Sequence, residues 1–149
     1  PGAQRRHIAW TDSESLIEPA HRQALMFEQR QGMLRNILTP AVPRLAAQSV
    51  QRVLGAVLAR AGLSIGQISA WIVHAGGRDV LLSMHQQRQV PALTAADSAA
   101  TLREYGNLSS AFVYFVLQAA LADNAPGGWW WLTSFGAGFS CHGALLKVD

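Results

Sequence analysis

The sequence predicts a single α/β domain in which strands and helices pack in layers. Its 149 residues, half of them hydrophobic, are enough to build one substantial core. Apolar residues recur with the period of a helix in some segments and form short runs of strand length in others. Because the two kinds of segment alternate along the chain, the pattern indicates a layered α/β fold.

The first part of the chain is predicted to be mainly extended. Residues Arg5–Trp10 fit a strand. The segment from His21 to Thr39 fits either a helix or a hairpin, and we favour a hairpin that turns near Arg30-Gln-Gly32.

The most regular helical pattern begins at Pro43. Proline in the first turn and Gly62 just past the last apolar position are typical helix boundaries. We therefore predict a long helix between them. The apolar positions that follow helical spacing are Leu45, Ala46, Val50, Val53, Leu54, Val57 and Leu58.

A strand, a glycine turn and a helix are predicted next. Ile68–His74 is an apolar run of strand length, and Gly76 and Gly77 follow it. The residues from Arg78 to about Arg88 fit a helix, and residues 89–94 fit a loop.

Two more helices precede the final strands. Ala95–Tyr105 fits a helix that ends at Gly106, and the residues from Leu108 to about Ala122 fit another. The second helix is apolar nearly all round, so we expect it to be buried on most sides.

The chain is predicted to close with two strands. Residues 124–128 form a turn, and Trp129–Phe135 fits a strand that buries alternate tryptophan rings. Gly136-Ala-Gly138 is a tight connection, and Phe139–Val148 is the closing strand.

Composition excludes several classes of function. The net charge of the chain is +3. The arginines are scattered along the sequence and do not form the basic cluster that nucleic-acid binding requires. The apolar runs are far shorter than the ~20 residues of a membrane helix. The single cysteine, Cys141, excludes an internal disulfide and is typical of a reducing cytoplasm. His7, His21, His85 and His142 show no metal-ligand spacing, so we expect no metal.

The chain also has few charges for a free-standing domain. Charged residues make up 14% of it, which is low when the whole surface faces water. We expect residues 1–149 to be a fragment of a longer chain. Leu108–Ala122 and Trp129–Phe135 should then pack against the part that is missing.

Two residues are candidates for chemistry. His74 ends a buried strand before two glycines, where open α/β sheets bind their ligands. A core histidine satisfied by the backbone is an equally good interpretation. Asn107 begins a buried helix, and taken alone it is better explained as a cap that accepts from the amides of Ser109 or Ser110.

Three segments resemble successive signatures of type III polyketide synthases, the chalcone and stilbene synthase-like enzymes. The segments are Trp71–Leu81, Glu104–Ala111 and Ser134–Phe139, and they occur in the order and spacing of that family. Val42-Pro43 before the long helix extends the resemblance over most of the chain. The resemblance implies a thiolase-like αβαβα fold, of which this chain is the C-terminal half.

The resemblance also implies roles for individual residues. His74 matches the catalytic histidine and Asn107 the catalytic asparagine. The residues implied to line the substrate pocket are Ser109, Gly136, Ala137 and Gly138. The residues implied to lie near coenzyme A are Gly76, Gly77 and Asp79.

Two positions depart from the family pattern. Ala75 replaces the usual proline after the histidine, and Arg78-Asp79 replaces a small apolar pair. The second change lies where the family receives coenzyme A, so it leaves open which acyl carrier the protein would accept. The family's phenylalanine gatekeeper has no assigned counterpart, because the His21–Thr39 segment aligns poorly.

The implied activity is that of an acyltransferase acting on acyl-CoA and malonyl-CoA. A cysteine of the N-terminal half takes the starter acyl group, malonyl thioester is decarboxylated and condensed, and the product cyclises. His74 and Asn107 would donate N–H groups to the thioester oxygen, as in an oxyanion hole. Cys141 lies in the closing strand and is predicted to be structural, so we expect the fragment alone to be inactive. The family also implies a homodimer without a further cofactor.

Two alternatives stay open at this point. The first is a ketoacyl synthase of the fatty-acid-initiating type, which has the same fold and the same Cys-His-Asn set. Its motif more often continues Asn-Thr-Ser, whereas this chain has Asn107-Leu-Ser. The second is a non-catalytic thiolase-like half that only shapes a partner's pocket, against which the presence of both His74 and Asn107 argues.

Overall fold

The computed structural model describes residues 6–86 and 96–149. This part of the chain holds a four-stranded sheet, a separate two-stranded hairpin and four α-helices. Their bounds are β1 Ile8–Ile17, β2 Leu25–Arg30, β3 Met33–Leu38, α1 Val42–Ala61, β4 Ile68–Val73, α2 Arg78–Gln86, α3 Ala96–Tyr105, α4 Phe112–Ala122, β5 Gly128–Gly136 and β6 Ser140–Val148.

The main sheet has the strand order β1-β6-β5-β4. β6 is antiparallel to both of its neighbours, and β4 is parallel to β5. Since β4 and β5 run in the same direction, their carboxyl ends meet at one edge of the sheet. That edge carries His74 and Gly136.

Helices cover both faces of this sheet. α1 packs with α2 on one face, and α4 packs on the other with α3 beside it. Trp130 and Trp131 are therefore both fully buried, although their rings point to opposite faces. The prediction that alternate rings are buried is wrong for this pair. β5 is a central strand with helices on both faces of the sheet, so the prediction that Trp129–Phe135 packs against a part outside this chain is wrong.

The predicted boundaries of the long helix, α1, are confirmed. Pro43 lies in the first turn, and the helix ends at Gly62 with a φ of +64°. Glycine adopts this left-handed conformation without steric cost. The apolar stripe of the helix is the centre of the core on this face of the sheet.

The hairpin interpretation of residues 21–39 is also confirmed. β2 and β3 pair in antiparallel fashion, from Leu25 opposite Leu38 to Arg30 opposite Met33. The turn between them has positive φ at Gln31 (53°) and Gly32 (77°), as in a two-residue hairpin of type I′.

Several boundaries differ from the predictions, most clearly those of β1 and α4. β1 extends to Ile17, because it pairs with β6 along its whole length, and Arg5 lies outside the described residues. A short 3₁₀ turn, Ser109–Ala111, precedes α4, which starts at Phe112 rather than Leu108. The predicted loop 89–94 also lies outside the described residues.

In the described part of the chain α4 is buried on one side only, so the prediction that it is buried on most sides is wrong here. Phe112, Val113, Val116 and Ala120 face the sheet. Tyr114 is 69% exposed on the opposite side. Among the described helices, none combines the length and hydrophobicity that crossing a bilayer requires.

Cys141 is part of the core. Its side chain is fully buried in β6, and its Sγ lies 3.9 Å from the Thr133 hydroxyl. Burial raises the pKa of the Cys141 thiol from 9.0 to about 12. A thiol in this environment stays protonated at neutral pH and is a poor nucleophile.

We predict that Gly143→Ala strongly destabilises the protein. A Cβ at position 143 would lie 2.3 Å from Cζ2 of Trp131 and 2.7 Å from Cγ1 of Val53, so the packed ring must shift. Overpacking of this kind costs ~1–3 kcal/mol. Urea unfolding would measure the change. Gly55→Ala is the matched control, because position 55 is open and alanine in a helix should stabilise by ~0.5–1 kcal/mol.

We predict that Cys141 resists iodoacetamide in the native protein at pH 8 and reacts after unfolding in urea. The reason is its burial together with the raised pKa of its thiol. Mass spectrometry of the peptide that carries Cys141 would measure the labelled fraction. Rapid labelling of the native protein would contradict the structural role.

Candidate active site at the carboxyl edge of the sheet

His74 is the first residue after β4. Its backbone N–H donates to the Thr133 carbonyl of β5 over 2.9 Å, which continues the parallel ladder by one residue. The residue is 6% exposed. Its ring lies 5.5 Å from that of Phe112 and 6.4 Å from that of Phe135, measured between centroids. The sheet therefore fixes the backbone, and two aromatic rings enclose the imidazole.

Asn107 lies between α3 and the 3₁₀ turn that precedes α4. Its Oδ1 accepts the backbone N–H of Ser109 over 2.9 Å. Its Nδ2 donates to the Gly76 carbonyl over 3.1 Å. Because one partner is a donor and the other an acceptor, they determine which end of the carboxamide is the oxygen.

The two candidate residues are in contact. His74 Nε2 lies 3.2 Å from Asn107 Oδ1, and since that oxygen can only accept, Nε2 carries the proton. Nδ1 is buried and has no hydrogen-bond partner among the described residues. Burial lowers the pKa of His74, and the hydrogen bond with Asn107 opposes this shift. His74 is therefore a neutral imidazole that presents an N–H at Nε2 near neutral pH.

The pair borders a cavity of about 170 Å³. Of the predicted pocket residues, Ser109, Gly136 and Ala137 line this cavity. Its walls are mainly apolar. The remaining lining residues are Leu25, Phe27, Asn36, Leu38, Val42, Ala46, Gly76, Val80, Ser110 and Phe135.

Gly138 is not among the residues that line the cavity. It adopts a φ of +106°, and its N–H donates to the Leu25 carbonyl over 2.9 Å. Gly138 thus ties the β5–β6 connection to the hairpin, which forms one wall of the cavity.

The residues predicted to lie near coenzyme A surround a second, more open hollow of about 680 Å³. Gly76, Gly77 and Asp79 line it together with Arg78. Val80 borders both this hollow and the smaller cavity, so the two spaces are adjacent. The two spaces also share Leu38, Val42 and Gly76 as lining residues.

The hairpin supplies lining residues that sequence analysis did not name. Phe27 and Asn36 are a cross-strand pair, as are Leu25 and Leu38, and all four face the cavity. Alternation along β2 and β3 places these pairs on one face. That signal becomes usable only once the segment is known to be a hairpin.

The site combines a few polar groups with apolar walls. Asn107 itself is exposed, whereas His74 is buried. Nowhere in residues 6–86 and 96–149 do three His, Cys, Asp or Glu side chains gather so that they could hold a metal ion. The chemical capacity of the site lies in its N–H donors, which suit an oxygen that gains negative charge.

Comparison with known proteins identifies the domain. Residues 15–148 match the family model described as chalcone and stilbene synthases, C-terminal domain. The 3,5-dihydroxyphenylacetyl-CoA synthase of Amycolatopsis balhimycina is 28% identical over 112 residues, which cover 74% of this chain and 30% of that protein. The 1,3,6,8-tetrahydroxynaphthalene synthase of Streptomyces peucetius subsp. caesius is 37% identical over 92 residues, which cover 60% of this chain and 24% of that protein.

Two solved structures have a similar fold. The crystal structure of PKS-I from the brown alga Ectocarpus siliculosus matches with a TM-score of 0.82 and 26% identity, over 95% of this chain and 40% of that one. The C-terminal type III polyketide synthase domain of Steely1 from Dictyostelium matches with a TM-score of 0.82 and 19% identity, over 94% of this chain and 40% of that one. The chain thus spans less than half of each relative.

The family model covers almost the whole chain, and both similar structures match more than nine-tenths of it. The predicted thiolase-like α/β fold is confirmed by this likeness. The chain belongs to the family of chalcone and stilbene synthase C-terminal domains, and so to the type III polyketide synthases.

Proposed function

We propose that this domain supplies the histidine and the asparagine of an enzyme that condenses malonyl-CoA with an acyl-CoA starter and cyclises the product. The observation that carries the proposal is the contact between His74 and Asn107 at the border of an apolar cavity. The enzyme would be an acyltransferase with no cofactor besides its coenzyme A thioesters.

The donors match the charge that develops in this reaction. Decarboxylation of a malonyl thioester and attack on an acyl thioester both place negative charge on a thioester oxygen. In this structure His74 Nε2 lies 3.2 Å from Asn107 Oδ1. The thioester oxygen would compete with Asn107 Oδ1 for the proton on His74 Nε2. Each N–H aimed at that oxygen is worth ~2.7–4 kcal/mol of transition-state stabilisation.

A neutral His74 suits this role. Its Nε2–H can donate to the oxygen without carrying a charge, and it can equally donate to a cysteine thiolate supplied by another part of the enzyme. Cys141 is not that cysteine, because its side chain is fully buried. The nucleophile is therefore assigned to an N-terminal half outside this chain.

The exposed side of α4 supports such a partner half. Tyr105, Tyr114 and Phe115 are 50%, 69% and 40% exposed, and the rings of Tyr105 and Phe115 lie 5.2 Å apart. Exposed aromatic clusters mark interaction surfaces. Asn107, close by in sequence, also needs a cover, because an oxyanion site works best when water is excluded.

The remaining parts of the proposal come from the family resemblance, for the homodimer, and from composition, for the rest. We propose a homodimer in the cytoplasm that binds neither nucleic acid nor membrane. The family match favours this enzyme over a ketoacyl synthase of the fatty-acid-initiating type. The hydrogen-bonded pair of His74 and Asn107 favours a catalytic domain over an inactive partner half.

We predict that Asn107→Asp in the full-length enzyme lowers malonyl-CoA decarboxylation by ~10²–10³-fold. The aspartate keeps an oxygen for the Ser109 N–H, so the cap survives. It loses the amide donor and adds negative charge where negative charge develops. Radiolabelled malonyl-CoA would measure decarboxylation, and thermal unfolding would measure stability.

Asn124→Asp is the matched control for this substitution. Asn124 is exposed in the turn after α4, so the same change of amide to carboxylate should leave decarboxylation unchanged there. An Asn107→Asp enzyme that decarboxylates malonyl-CoA at the wild-type rate would leave Asn107 with a capping role only.

We predict that the isolated 149-residue chain self-associates through the exposed aromatic side of α4. Tyr114→Glu together with Phe115→Glu should shift it toward the monomer in size-exclusion chromatography with light scattering. Ile65→Glu together with Leu82→Glu is the control, since both residues are exposed elsewhere on the surface. A monomeric, cooperatively unfolding wild-type chain would contradict the need for a partner half.

A further inference from the structure

β4 is the outer strand of the sheet within the described part of the chain. Among residues 6–86 and 96–149, β4 pairs with β5 along one side and with no strand along the other. The N–H of His74 points to β5, where it donates to Thr133. Because successive backbone N–H groups of a strand point to opposite edges, the N–H of Val73 points away from β5. Val73 is fully buried, so this N–H requires a partner other than water.

Ser98 provides that partner. Its hydroxyl oxygen accepts the Val73 N–H over 3.2 Å in a buried contact. Ser98 lies on α3, which packs beside β4, and its side chain is fully buried. A serine inside a helix usually faces solvent or bonds to the preceding turn. Ser98 instead substitutes for a neighbouring strand at one position of the open edge.

That position is next to the candidate catalytic pair. Val73 directly precedes His74. The Gly76 carbonyl, which accepts from Asn107 Nδ2, lies three residues after Val73. The backbone from Val73 to Gly76 therefore sets the place of both side chains. On one edge Thr133 holds it, and on the other edge Ser98 does.

We propose that Ser98 is a positioning residue for His74 and Asn107. Its hydroxyl holds the end of β4 against α3, so that the imidazole and the carboxamide keep their relative positions when the substrate oxygen is bound. The role depends on the proposed function of the pair. It acts through the backbone, because Ser98 is not among the residues that line the cavity.

The test compares Ser98→Ala with the wild type in the full-length enzyme. Hydrogen exchange of the peptide that contains Val73 reports on the hydrogen bond. The kcat and KM of malonyl-CoA decarboxylation are measured per active site, with the sites counted by starter loading. We expect faster exchange at Val73 and a kcat reduced by about 10-fold with little change in KM, since small displacements of catalytic groups are costly.

Three further variants make the result specific. Ser98→Thr retains the hydroxyl, so both kcat and the hydrogen-exchange rate at Val73 should return to wild-type values. Ser98→Cys retains the size of the side chain but has a weaker acceptor, so its kcat and its exchange rate at Val73 should lie between those of the wild type and Ser98→Ala. It replaces Ser98→Ala in the test if Ser98→Ala does not fold. Thr101→Val removes the other buried hydroxyl of α3 and should leave both readouts unchanged.

The outcomes distinguish a failure of the positioning role of Ser98 from a failure of the proposed function. Wild-type exchange at Val73 in Ser98→Ala would show that the hydrogen bond is not needed and would overturn the proposal. Faster exchange with an unchanged kcat would reduce Ser98 to a structural residue and would also overturn it. A wild-type enzyme that does not decarboxylate malonyl-CoA would overturn the proposed function itself, and the positioning role with it.

Discussion

The parallel pairing of β4 with β5 determines where the candidate active site lies. Parallel strands cannot be joined by a tight turn, so the chain must cross from the end of β4 back to the start of β5. Here the crossover contains α2, α3 and α4, and the connection from α3 to α4 passes the carboxyl edge of the sheet. Asn107 lies on that connection, and His74 is the residue that leaves β4. The two residues meet because the topology returns the chain to this edge.

In the proposed function, Asn107 combines a structural and a chemical role in one side chain. Its oxygen caps the turn before α4 and also contacts His74. A lost cap costs typically ~1 kcal/mol. A lost oxyanion donor costs ~2.7–4 kcal/mol in the transition state. The second effect is larger, so catalysis rather than folding would be the main constraint on the residue in the proposed reaction.

The sequence predicts most of the fold because most signals are local. The boundaries of α1 depend on Pro43 and Gly62, and the hairpin turn depends on Gly32. The sequence predicts β1 too short, because the polar second half of this strand is extended only through pairing with β6, which is distant in sequence. The strand-end position of His74 makes it a candidate, but the catalytic roles of His74 and Asn107 are implied only by the family resemblance. Ser98 has no comparable signal, since its role arises only when α3 packs against β4.

The cavity beside His74 has a size that bears on the shape of the product. Its volume is about 170 Å³, and an apolar cavity of roughly 150 Å³ is enough to hold one benzene molecule. In the proposed reaction, this domain alone would shelter a single six-membered ring next to the imidazole. A fused bicyclic product would need further space, which the adjacent hollow along Gly76 and Gly77 or the other half of the enzyme would have to contribute.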